Sequence, residues 1–145
     1  MSGITEMQKG FPATVTLATD NEGVPCCGPE RANQIAGASG PKTRTQWFNT
    51  SAFAYPTPGT FGNEPNGAVR GPGFINFDFG LGKRTPIRES MGLEFKAQAF
   101  NVFNHVSYSS VDTTLGKPTS PNPDFGFLHN PLSPRIMQLS LAFTF

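Results

Sequence analysis

The stretch from Met137 to Phe145, MQLSLAFTF, alternates without a break. Met137, Leu139, Leu141, Phe143 and Phe145 are apolar, while Gln138, Ser140, Ala142 and Thr144 are polar or small. A period of two is the mark of a β-strand with one greasy face and one wet face, and it excludes a helix over these residues. The pattern runs to the last residue, where a frayed end would gain nothing from a phenylalanine ring. A strand of this kind predicts a cover for its apolar side.

The same two faces recur upstream. In FINFDFGLGK the residues Ile75, Phe77, Phe79 and Leu81 alternate with Asn76, Asp78, Gly80 and Gly82; in GLEFKAQAF the residues Leu93, Phe95, Ala97 and Ala99 alternate with Glu94, Lys96 and Gln98. A fourth alternation, Phe11, Ala13, Val15 and Leu17, is interrupted by Gly10 and Pro12. The expectation is an all-β chain of about four antiparallel amphipathic strands, near 11–19, 74–83, 92–103 and 136–145. Sixteen glycines and fourteen prolines make up about a fifth of the 145 residues. They concentrate in two long connections, 20–73 and 104–135, which exceed the usual loop length of a compact domain. By contrast, RTPIRES, between the second and third strands, reads as a short turn.

Connections that run long, short, long suit an outer-membrane barrel, with extended loops at one rim and tight turns at the other. A soluble β-sandwich gives the same alternation and stays open at this level. The chain holds no run of about 18 apolar residues, which excludes a transmembrane helix but not transmembrane strands. Its opening residues lack the charged and apolar regions of a secretory signal, so the chain is expected to be intracellular or a piece of something larger.

Little chemistry is legible. A net charge of +1 with no basic run argues against nucleic acid as a partner. Cys26 and Cys27 are neighbours in a Pro/Gly-flanked loop, read as loop thiols or a vicinal disulfide without a catalytic role. His105, His129, Asp112 and Asp124 share one long connection but lack metal-ligand spacing, and they read as solvated loop residues. No nucleophile, phosphate-cradling loop or zinc motif occurs; no cofactor, no metal and no enzymatic activity are expected. The Gly71 to Gly73 stretch, GPG, reads as turn chemistry, and NTS at Asn49 formally matches a glycosylation acceptor. Trp47, Phe48, Phe53 and Tyr55 either pack the first connection or offer an external contact surface, packing being the preferred reading.

Taken in order, WFNTSAFAYPTPGTFGNEPNGAVRGPGFINFDFGLGKRTPI, LEFKAQAFNVFNH, TTLGKPTSPNPDFGFL and SPRIMQLSLAFTF resemble the C-terminal end of a TonB-dependent outer-membrane transporter. The likeness is to the subgroup with an N-terminal carboxypeptidase-regulatory-like domain, and SGITEMQKGFPATVTLATDN resembles the segment that precedes these runs. The resemblance implies a barrel of about 22 strands closed around a plug. Such a barrel needs roughly 220 residues for its strands alone, so residues 1–145 are expected to be a single C-terminal barrel fragment.

It further implies that Leu141, Phe143 and Phe145 form the signal read by the barrel-assembly machinery. Ile75, Phe77, Phe79, Leu81, Leu93 and Phe95 would face outer-membrane lipid. Asn76, Asp78, Glu94, Lys96 and Gln98 would face the lumen. The partners are then the rest of the barrel, the plug and the assembly machinery, in a Gram-negative outer membrane. Two rivals remain: a stand-alone chain that joins copies of itself by strand addition into a surface filament or oligomer, and a soluble β-rich binding module.

Overall fold

The computed structural model describes residues 1–23, 29–89 and 91–145, so Cys26 and Cys27 lie outside the described residues. The chain is all-β, with one short 3-10 turn at Thr50–Ala52 among the described residues. No helix in them is long and apolar enough to cross a membrane, which says nothing about strands. Two compact units form, one from Met1–Gln8, Gly73–Ser107 and Pro131–Phe145, the other from Lys9–Pro72 and Tyr108–Asn130.

The first unit is a four-stranded antiparallel sheet. Its strands are β1 (Ser2–Gln8), β2 (Phe74–Arg88), β3 (Met91–Phe100) and β4 (Ile136–Thr144), adjacent in chain order. The sheet is open, with β1 and β4 as its edges and no closure into a barrel. Ser2 stands opposite Gly80 and Gln8 opposite Phe74; Phe79 opposite Ala99; Phe100 opposite Ile136 and Gly92 opposite Thr144. Both long connections therefore leave from one end of the sheet, and Arg88 of β2 stands opposite Met91 of β3 at the other. The long, short, long order is preserved.

The structure corrects the placement of the first strand. The ladder partner of β2 is Ser2–Gln8, not 11–19. Period-two reading passes over this segment because Ile4 and Met7 are three residues apart and fall on opposite faces, so the pairing rests on backbone hydrogen bonds. Residues 11–19 hold only the two-residue strands Pro12–Ala13 and Thr16–Leu17, in the other unit. Their alternation has a different cause: Val15 and Leu17 enter that unit's core.

The RTPIRES turn is corrected as well. Arg84 to Arg88 continue β2, with a register shift between Pro86 and Arg88. Pro86 is tolerated there because β1 stops opposite Gly80, leaving that side of β2 without a ladder partner among the described residues. At the other end β3 stops at Phe100, short of 103, because Asn101 turns into the left-handed region at φ 50°.

The second unit, Lys9–Pro72 with Tyr108–Asn130, joins residues 9–19 to most of the two connections read as irregular loops, and it has a core. Val15, Leu17, Ala32, Phe48, Ala52, Phe53 and Val69 are buried, with Val111, Leu115 and Phe125 of the second connection packed against them. Phe48 meets Phe53 and Phe125 edge to face, at centroid distances of 5.6 and 5.2 Å. Short ladders knit it together: Pro12–Ala13 with Val69–Arg70, Asn33–Gln34 with Phe53–Ala54, and Thr16–Leu17 in parallel with Thr114–Leu115. Glycine is required where backbones nearly touch, as at Gly62, where a Cβ would collide with the Arg31 carbonyl.

Candidate functional site

The ladders turn the sequence alternation into two continuous faces. On one, Leu81 lies opposite Ala97 and Ala97 opposite Leu139; Phe79, Ala99 and Met137 form the next row, and Leu93 meets Phe143. Ile75 and Phe77 extend this face along β2 toward β1, opposite Met7 and Thr5. Phe95 stands between Lys83 and Leu141, so the apolar band gives way to charge at the turn end of β2. Ile75, Phe79, Leu81, Phe95, Met137, Leu139, Leu141 and Phe143 are exposed. Phe145, 94 % exposed, stacks on Phe143 with ring centroids 6.2 Å apart. Four strands in register thus present a row of large apolar side chains, of which Phe77 meets the Phe103 ring edge to face at 5.1 Å and those named above as exposed stay so.

The opposite face is polar. Asn76 and Asp78 on β2, Glu94, Lys96 and Gln98 on β3, and Gln138 and Ser140 on β4 share it, with Gly80 and Gly82 opposite Gln98 and Lys96. Lys96 Nζ lies 3.0 Å from Glu94 Oε1, an exposed pair of little energetic weight. The structure thus separates the two residue sets that the alternation distinguishes, one to each face.

At the loop end of the sheet, NVFNH forms a tie that sequence reasoning missed. The Asn101 side chain accepts from His105 N at 2.9 Å and donates to the carbonyls of His105 at 3.0 Å and Ser133 at 3.2 Å. Asn104 is also left-handed, at φ 53°, and its side chain accepts from Arg135 N at 3.1 Å. Asp78 Oδ1 accepts from Asn101 N at 3.0 Å and from Asn76 Nδ2 at 2.9 Å. Asparagine suits both turns because its short amide tolerates positive φ and replaces backbone partners. Sequence could have signalled the tie only through the two asparagines flanking a turn.

In the second unit, Glu64 is 1 % exposed. Both its oxygens accept from Val15 N at 2.9 Å, and Arg31 Nη1 donates to its carbonyl at 3.0 Å. Burial pushes the Glu64 carboxyl above its ordinary value, opposed by the Val15 N–H and the Arg31 charge. The aromatic residues of the first connection take packing positions: Phe48 and Phe53 are buried. Trp47 Nε1 donates to Arg70 O at 2.8 Å, and the Tyr55 hydroxyl meets Thr19 Oγ1 at 3.1 Å. Lys42 Nζ sits 4.7 Å from the Trp47 ring centre.

His105 lies in the sheet unit, while Asp112, Asp124 and His129 lie in the other. Asp112 caps Thr114 N at 2.8 Å and accepts from Asn122 Nδ2 at 3.1 Å. No group of three potential ligands forms among the described residues. The Asn49 amide nitrogen donates to Gly37 O at 3.1 Å, and its oxygen accepts from Ser51 Oγ at 2.7 Å, so the NTS side chain is engaged within its own unit.

Compared with known families, residues 1–138 match a family model described as an outer membrane beta barrel domain. No curated protein and no solved structure matches the chain.

Proposed function

The chain belongs to the outer membrane β-barrel domain family, and on that premise we propose that it forms the C-terminal part of the barrel wall of an energised, TonB-dependent transporter. Barrel-type protein and outer-membrane setting follow from family membership; the transport role, the Gram-negative source and the residue assignments are the proposal. The observation that carries it is the register-locked sheet with one exposed apolar face and two open edges. In lipid every unpaired backbone group costs several kcal/mol, so such edges require further strands beside them.

On this reading Ile75, Phe77, Phe79, Leu81, Leu93 and Phe95 face lipid, and Asn76, Asp78, Glu94, Lys96 and Gln98 face the lumen and plug. Leu141, Phe143 and Phe145 lie on the closing strand and serve assembly. The role is structural, without catalysis, and the partners are the remaining strands, the plug, the assembly machinery and lipid.

An antibody against the C-terminal segment, used on fractionated cells of the source organism, tests the proposal. A heat-modifiable band several times heavier than 15.6 kDa in the outer membrane is expected, with substrate uptake lost on adding a protonophore. A 15.6 kDa band in the soluble fraction would overturn it. A band of that size in surface filaments would replace it with strand addition between copies through the open edges of β1 and β4.

A further inference from the structure

A cavity of about 370 Å³ opens at the loop end of the sheet unit, within the size range of small-molecule sites. Phe74, Phe100, Leu132 and Ile136 give it apolar walls, and Asp78 and His105 supply titratable groups. Phe74, Asp78, Phe100 and Ile136 all belong to the polar face by register. The pocket is thus an apolar patch on the wet side of the sheet.

No lysine or arginine lines it, and the Asp78 carboxylate is the acidic group in its wall. Asp78 Oδ1 is occupied by two donors, the Asn76 amide and Asn101 N, which fix the carboxylate. Its Oδ2 accepts from nothing among the described residues, and it is not a buried orphan. Across the β1–β2 ladder, Glu6 stands opposite Asn76 on the same face and adds negative potential one diagonal step from Asp78. The Lys96 ammonium, also on this face, is engaged by Glu94. One carboxylate and one imidazole are too few for a metal ion.

We propose that this cavity binds a small organic cation with an apolar body, an aryl- or alkylammonium, its charge on Asp78 Oδ2 and its body against Phe74 and Phe100. A held carboxylate with a free oxygen beside aromatic rings favours an ammonium over a neutral or anionic group. Every lining residue belongs to the sheet unit, and on the transporter reading, which assigns Asn76 and Asp78 to the lumen, the site opens on that side.

The test titrates phenethylammonium and neutral 2-phenylethanol into the full chain in detergent micelles, followed by the amide NMR shifts of Asn101 and His105. Phenethylammonium should saturate, and 2-phenylethanol should bind at least about tenfold more weakly. Asp78→Asn keeps an oxygen for the Asn101 N–H and should erase that preference. Should Asp78→Asn lose the strand amide spectrum, Phe100→Leu decides, expected to weaken phenethylammonium several-fold with Asp78 intact. No saturation by phenethylammonium, equal affinity for both compounds, a preference that survives Asp78→Asn, or undiminished affinity for phenethylammonium in Phe100→Leu overturns the proposal.

Discussion

Replacing Phe48 by alanine should loosen the second unit. Phe48 is fully buried and meets one ring from its own connection, Phe53, and one from the other, Phe125. Removing its ring takes about 100 Å² of apolar surface out of the core, or about 2.5 kcal/mol at 25 cal/mol per Å². Two edge-to-face contacts add about 1 to 2 kcal/mol, placing the total near 4 kcal/mol, within the range for buried Phe→Ala changes. The readout is amide hydrogen exchange at the bonds that join the connections. These are Trp47 N to Gly126 O at 2.8 Å, Leu128 N to Arg44 O at 2.8 Å and Thr16 N to Thr113 O at 3.0 Å. If these amides exchange by opening of the whole unit, a loss of 4 kcal/mol lowers their protection by about a thousandfold. Phe61→Ala, at a side chain 74 % exposed, should change it little. Protection in Phe48→Ala no lower than in Phe61→Ala would refute a shared core.

Three further outcomes are expected. Phe79→Arg should destabilise the lipid-inserted protein by about 2 to 4 kcal/mol in denaturant titrations, whereas Gln98→Arg, on the other face, should be mild; equal costs would sink the assignment of faces. Because burial raises the Glu64 carboxyl, the folded unit takes up its proton at a higher pH than the unfolded chain does. Its stability should therefore rise as pH falls from neutral through the raised value toward 4.5, and Glu64→Gln should abolish that rise in pH-dependent exchange. Asn101→Ala should cost about 3 kcal/mol, from three lost hydrogen bonds and a strained positive φ, and Asn101→Gly should cost less because it relieves the φ alone. Thermal melts would separate these two variants.

Much of the sheet was legible. Three of its strands announce themselves by period two, and alternation alone assigned Phe79 and Leu81 to one face and Asn76 and Asp78 to the other. That pattern is local: the pleat sends neighbouring side chains to opposite sides whatever the partner strand. The order of long and short connections was equally plain from where glycine and proline cluster.

What tertiary structure decided was partnership across long separations. β1 carries little periodicity and is a strand because β2 offers it an edge. Val15 and Leu17 alternate like a membrane strand, yet they fill a core shared with residues of the second connection. Glu64 is a surface residue by type and a buried one in fact, since its carboxylate caps Val15 N, 49 residues away. A carboxylate or an asparagine reads the same in any loop; its role depends on which backbone groups the fold leaves without partners, and those exist only once distant segments have met.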